Sequence, residues 1–195
     1  MPRSITSAAG VSYAEKAGRP TKPRLSRAQI LTETIALLKH AEVEPSMRAL
    51  ATHLGVDPMA VYHYFPDREA LWQAALEEVF ADLPLAPPAG APWQDAAMEF
   101  LLAYHQIALR NFRLTHFLVT HGTLRVAAID AYNQSLMQIL GRAGFSPERT
   151  ELLRDLLVDY LHGYLMAEVH YSPREKKKRL QQVPVTLRWM LDCLR

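Results

Sequence analysis

At 195 residues, with 49% hydrophobic and 22% charged positions, the chain has the composition of a folded globular protein and enough length for one ordinary domain or two small ones. A formal charge of +2 does not by itself point to nucleic acid, and the lone Cys193 excludes an intrachain disulfide and suits a reducing compartment. No apolar run approaches the ~20 residues of a membrane span, and MPRSITSAAGVSYAEKAG lacks the apolar segment of a signal peptide, so a cytoplasmic protein without membrane contact is expected.

Residues 1–24 mix Ser, Gly, Pro and basic side chains without periodicity. Arg3, Lys16, Arg19, Lys22 and Arg24 stand against a single Glu15, which reads as a mobile basic arm. It either follows an adjacent minor groove of DNA or is a solvated tail. Ser26 and Gln29 have capping-box spacing, and Ile30, Thr34, Leu37, Leu38 and Ala41 share the face of a first helix that stops by Glu44-Pro45.

Residues 46–72 carry the densest signal. Ala51 is small where two helices would cross, and Gly55, four residues later, accommodates a turn with positive φ. Leu50, Leu54, Val56 and Val61 fall at core positions. Asp57 caps the next helix and Pro58 opens it. Asp67 caps a further helix that starts with Arg68 and buries Leu71 and Trp72. The pattern is a helix-turn-helix, with Phe65 packed on Leu71 and the first helix, Tyr64 divided between core and surface, and Tyr62 and His63 outward. An ordinary α-hairpin with these aromatics in its core is the alternative.

The run R-x-L-A-x-x-L-G-V-x-x-x-x-x-Y-x-Y-F-x-x-[KR]-x-x-L resembles the N-terminal domain of the TetR family of bacterial transcriptional regulators, over about residues 26–80. The resemblance implies a homodimer that places two recognition helices in successive major grooves of a palindromic double-stranded operator. It also implies a variable C-terminal domain that dimerises and binds a small molecule. By position, Arg48 matches an arginine suited to a guanine or a phosphate, and Pro58, Met59 and Ala60 match the first turn of the recognition helix. Tyr62 and His63 match its phosphate- and base-contacting aromatics, and Arg68 matches a basic residue at a helix start that favours phosphate. Two departures bear on reading: no glycine stands in Ala41-Glu42-Val43-Glu44, and position 60 is Ala where Ser or Thr is common. Met59 and Ala60 offer only apolar contact to thymine methyls, so base specificity is expected to rest on Arg48, His63 and methyl contacts.

The stretch 83–92, LPLAPPAGAP, with four prolines and a glycine, reads as a linker or long turn. This divides the chain into an arm (1–24), a DNA-binding unit (25–82) and a helical ligand-binding and dimerisation unit (93–195). In the last, Trp93, Ala96, Ala97, Phe100, Leu101, Tyr104, Ile107 and Ala108 repeat at helical spacing, and an apolar piece follows at Phe112–Val119. A helix from about Thr123 to Arg142 ends at Gly144. Ser146-Pro147 starts a long helix expected to persist to Tyr171 and to end at Pro173, and Pro184 is expected to break or kink the last segment. No strand pattern occurs, and the expected fold is all-α: an N-terminal three-helix unit with a C-terminal helical domain.

Ligand pockets in bundles are apolar with a few polar handles, and Phe100, Tyr104, His105, His116, Phe117, His121, Tyr132 and Met137 are the candidates for an apolar or aromatic effector, each of which is alternatively plain core. His116 and His121 are poorly spaced as ligands, so no metal or other cofactor is expected. The lone Cys193 has no partner pattern for catalysis, so no enzyme activity is expected either. The expected dimer interface comprises Leu153, Leu157, Tyr160, Gly163 and Tyr164 of the long helix with Leu187, Met190 and Leu191. Mid-helix Gly163, which costs roughly 1 kcal/mol relative to Ala, is tolerable if a partner helix approaches there. Lys176–Arg179 is expected to be a solvated stretch. A ligand-independent DNA-binding protein, or a dimerisation module that does not bind DNA, are the other readings.

Overall fold

A computed structural model describes residues 25–40, 45–86, 90–121 and 124–193. The arm 1–24 and the segment Ala41–Glu44 lie outside the described residues. Those described form helices α1 (Arg27–His40), α2 (Met47–Leu54), α3 (Pro58–Tyr62), α4 (Arg68–Phe80), α5 (Trp93–Arg110), α6 (Phe112–Thr120), α7 (Ala127–Gly141), α8 (Pro147–Ala167) and α9 (Pro173–Asp192), with no strand among them. The expected all-α class holds.

Most helix starts are set by the side chains that the sequence offers there. Ser26, Ser46, Asp67 and Ser146 each accept the backbone N–H three residues on, satisfying a donor that the first turn leaves open. Asp57 accepts from Met59 in the same role. Two expected boundaries move. Pro173 does not merely end α8: that helix gives way at Ala167 to a single 3-10 turn, Glu168–His170, and Pro173 is the first residue of α9. Ser172 and Glu175 make the reciprocal capping box that starts it, with the Ser172 N–H donating to Glu175 at 2.9 Å. α9 then runs through Pro184 as one helix.

The other shift is at α7, which begins at Ala127 rather than near Thr123. Its first turn has no local side-chain cap. Instead Glu77, on α4, reaches across and accepts the N–H groups of Ala127 at 2.6 Å and Ala128 at 3.2 Å. Gln73, one turn earlier on α4, donates to the Arg125 carbonyl at 3.1 Å. A carboxylate at a helix N-terminus satisfies open donors and complements the helix dipole. α4 thus supplies the start of α7.

A continuous hydrophobic core runs from Ile30 and Leu38 in α1, through Trp72, Leu76 and Phe80 in α4, to Leu136, Leu157 and Leu187 in α7, α8 and α9. Trp72 meets Phe117 of α6 edge-on, with centroids 6.2 Å apart. The N-terminal helices are therefore packed against the rest and not hung from a free linker.

Candidate nucleic-acid interface and ligand cavity

α2 and α3 are held in a fixed crossing by local chemistry. Gly55 adopts φ 66° and its N–H, with that of Val56, closes the end of α2 on the carbonyls of Thr52 and Ala51. Ala51, fully buried, lets the helices approach, and Leu50 and Val61 seal the space between them, with Leu54 and Val56 packed at its edge. Phe65 is buried as expected, with the Arg27 guanidinium over its ring at 5.0 Å. Tyr64 resolves toward structure: its hydroxyl donates to the Leu25 carbonyl at 2.6 Å, tying the end of the reading segment to the start of α1.

This scaffold leaves one row of side chains outside. Met59 is 71% exposed although it is a large apolar residue, and Tyr62 and His63 are exposed beside it. Arg48, in the first turn of α2, and Arg68, in the first turn of α4, are exposed as well, while Pro58 and Ala60 are half-covered. Six of the seven expected DNA-binding residues thus lie in α2, α3 or the C-cap of α3, the seventh, Arg68, opens α4, and five of the seven are exposed. α3 itself is a five-residue helix, with His63 as its C-cap, so the reading surface is one and a half turns of side chains.

The model of the bacterial regulatory proteins of the tetR family matches residues 30–75, the stretch that contains α2, α3 and both capping aspartates. Over these residues the N-terminal helices are similar to those of the TetR family. Solved structures extend the likeness in fold to most of the chain. BioQ from Mycobacterium smegmatis superposes with a TM-score of 0.72 at 19% identity, over 87% of this chain and 97% of that one. BioQ with its natural double-stranded DNA operator gives 0.70 at 19% identity, over 87% and 98%. A TetR variant from Acinetobacter baumannii with minocycline gives 0.69 at 19% identity, over 87% and 94%. No curated protein matches the chain in sequence.

Behind these N-terminal helices, α5, α6, α7 and α8 enclose a cavity of about 190 Å³. Tyr104 and Tyr132 form its aromatic wall, stacked with centroids 5.7 Å apart, and Leu118, Ile129 and Val158 line the rest. Its polar handles are Asn133 and His162, the latter accepting from the Tyr104 hydroxyl at Nε2, 2.6 Å away. Burial pushes both tyrosine hydroxyls well above their ordinary range, so they stay protonated donors. Burial also lowers the His162 pKa, against a smaller opposing pull from Asp159, which keeps the ring neutral and able to accept. The stack continues outward from the cavity: Phe80, the last residue of α4, lies on Tyr104 at 5.8 Å, and Phe100 lies on Tyr132 at 5.5 Å.

The expected pocket set divides accordingly. Tyr104 and Tyr132 line the cavity, and Phe100 backs it. Phe117 is buried against Trp72, His116 on α6 and His121 just after it are exposed, and Met137 is half-buried without lining the cavity. His105 faces a different part of the bundle, toward Tyr164 and α9. His162 was missed because it sits among leucines on a long helix, where nothing nearby in sequence marks it; its partner is 58 residues away.

The expected dimer residues also divide, for a geometric reason. α8 is apolar on two sides, and Leu153, Leu157 and Tyr164 take the inner one; with Leu187 and Leu191 of α9 they are buried inside the protomer and have no surface for a second chain. Tyr160 and Met190 are half-buried and Gly163 is exposed. The unpartnered apolar side chains are their neighbours Leu152, Leu156, Val185 and Trp189, from 55 to 70% exposed. A Cβ added at Gly163 would meet nothing within 4 Å in the protomer, and Gly163 borders an open groove between α8 and α9 with Tyr160 and Val185. Of the basic run Lys176–Arg179, Arg179 departs from a solvated role: its guanidinium lies over the rings of Tyr164 and Tyr171 at 4.8 and 4.2 Å.

Among the described residues no three His, Cys, Asp or Glu side chains converge as metal ligands would, and no described helix is long and apolar enough to cross a membrane.

Proposed function

We propose that this TetR-family DNA-binding regulator acts in the bacterial cytoplasm as a homodimeric repressor, released from a palindromic operator by a small, uncharged, largely aromatic ligand, with no catalytic step. The observation that carries the DNA reading is the outward row Met59-Tyr62-His63, with exposed Arg48 on the preceding helix of a pair whose starts are capped and whose turn is closed. A side chain as apolar as Met59, 71% exposed at the tip of a rigid scaffold, suits thymine methyls, and Tyr62 and Arg68 suit the flanking phosphates. His63 and Arg48 are the hydrogen-bonding readers. The basic side chains of residues 1–24 add charge that favours non-specific attraction to DNA.

The second copy docks on Leu152, Leu156, Val185 and Trp189 around Gly163, a face that α8 and α9 together present. Two reading heads held this way meet successive major grooves when they are one helical turn of DNA apart, about 34–36 Å. The ligand binds at Tyr104, Tyr132 and His162, and α4 links the two events. Its last residue stacks on Tyr104, its Glu77 holds the start of α7, and its first turn carries Arg68. A ligand that displaces the aromatic stack or α7 therefore tilts α4 and the head with it. The ligand must bind the two arrangements with different affinity, and the coupling is reciprocal.

Selecting bound fragments from a random DNA pool tests this reading. Enrichment of a palindrome with half-sites about 10 base pairs apart supports it; enrichment of no sequence over non-specific binding overturns it. Release of the selected fragment by a small aromatic separates the ligand-responsive regulator from a ligand-independent DNA-binding protein.

A further inference from the structure

A second cavity, of about 400 Å³, lies between α5 and α9 and shares no lining residue with the one at Tyr104 and His162. It opens on the side of α9 away from Val185 and Trp189, so a second copy docked on that face leaves it accessible. Its walls are apolar, built from Leu102, Leu109 and Val183.

Three polar features break the apolar lining, and one of them, His105, is buried with its ring nitrogens unpaired. His105 borders the cavity from α5, is 2% exposed, and has no hydrogen-bond partner at either ring nitrogen. A neutral imidazole carries one donor and one acceptor, and leaving both unpaired away from water costs the desolvation of each. Burial holds the ring below its ordinary pKa, so it is neutral. Across the cavity, Pro184 has no N–H to give, and the Leu180 carbonyl lacks its usual helix donor. At the mouth, Gln106 and Arg110 are exposed one turn apart on α5, and no acidic side chain is among the residues that line the cavity.

We infer that this cavity is a second small-molecule site, for a carboxylic acid with an apolar body that carries a hydroxyl or keto oxygen away from the acid group. The carboxylate pairs with Arg110 and Gln106 at the mouth. The body covers Leu102, Leu109 and Val183, and the distal oxygen meets His105. Charged and uncharged ligands are thereby sorted: the Tyr104–His162 cavity is lined by neutral groups alone, whereas this one offers a guanidinium.

The test uses the full chain with 3-(4-hydroxyphenyl)propanoate, its methyl ester and 3-phenylpropanoate, titrated calorimetrically and followed by the ring nitrogen signals of labelled histidine. The expected result is saturable binding of the hydroxy acid that moves the His105 signals and leaves those of His162 in place. Arg110→Gln should weaken the acid about tenfold or more and leave the ester unchanged. His105→Phe should abolish the preference for the hydroxy acid over 3-phenylpropanoate. Absence of saturable binding, equal binding to the Arg110→Gln variant, or a response at His162 in place of His105 would overturn the proposal. Arg110 is exposed, so its variant keeps the test decisive if His105→Phe does not fold.

Discussion

The proposed reading head and the proposed sensor differ in the reach of the hydrogen bonds that shape them: mostly local in the first, although Tyr64 reaches back to Leu25, and long in the second. In the head, Ser46, Asp57 and Asp67 each bind a backbone N–H two or three residues away, and Gly55 closes its turn on Ala51 and Thr52. In the sensor the deciding contacts span the chain: Tyr132 to the Phe100 carbonyl across 32 residues, Ser135 to the Leu85 carbonyl across 50, and Tyr104 to His162 across 58. Short-range bonds make a rigid unit that presents the same face whatever it is joined to. Long-range bonds make a cavity whose shape depends on how four helices sit, which is what a ligand can alter.

The largest expected effect tests whether this division is also one of stability. Trp72 belongs to the head's α4 yet packs on Phe117 of the sensor. Trp72→Ala should cost about 3–5 kcal/mol and lower a single calorimetric transition. Two separated transitions, with only one displaced, would mean that the halves fold independently and that the shared core counts for little.

A second substitution set acts on the head alone. Arg48→Ala and Tyr62→Ala should each weaken binding to the selected operator by about 1–3 kcal/mol, roughly 5- to 150-fold, without moving Tm, since both side chains are exposed. Arg48→Ala should discriminate between operator and random DNA. Equal loss on both sequences would make Arg48 a phosphate clamp and leave His63 and the methyl contacts to carry specificity.

His162→Phe acts on the sensor alone. It leaves the buried Tyr104 hydroxyl without its acceptor, at a cost of about 1–3 kcal/mol, and should blunt ligand-driven release while operator affinity without ligand stays within about twofold. A parallel loss of operator affinity would show that the two halves are not separable in function.

The smallest effect is one of pH. Burial lowers the pKa of His105 and of His162 below the ordinary 6.5. As pH falls through 6.5 the unfolded chain takes up protons before the folded one, so stability declines from there downward. Thermal melts between pH 7.5 and 5.5 should show the decline, and His162→Phe should reduce it.

How far the sequence could be read follows from the same contrast. The head was legible almost to the residue, because its caps, turn glycine and outward row are written within one continuous stretch and each has a local physical reason. Helix number and order in the sensor followed from periodicity and from Gly144 and Ser146-Pro147. Periodicity marks apolar positions but does not say which of two apolar sides faces inward. That is why Leu153 and Leu157 stood for the dimer face, when Leu152 and Leu156, one position before each, are the exposed ones. The start of α7 was illegible for a stricter reason, since the group that caps it belongs to another helix.

That borrowed cap decides where parts can be exchanged between regulators of this fold. A chimera that joins residues 26–80 to a foreign sensor carries Gln73 and Glu77 away from the helix they initiate, and brings two polar side chains to a surface with no matching helix start. The working seam lies inside α4, between Asp67 and Gln73, so that Arg68 can be exchanged with the reading head while Glu77 stays with Ala127.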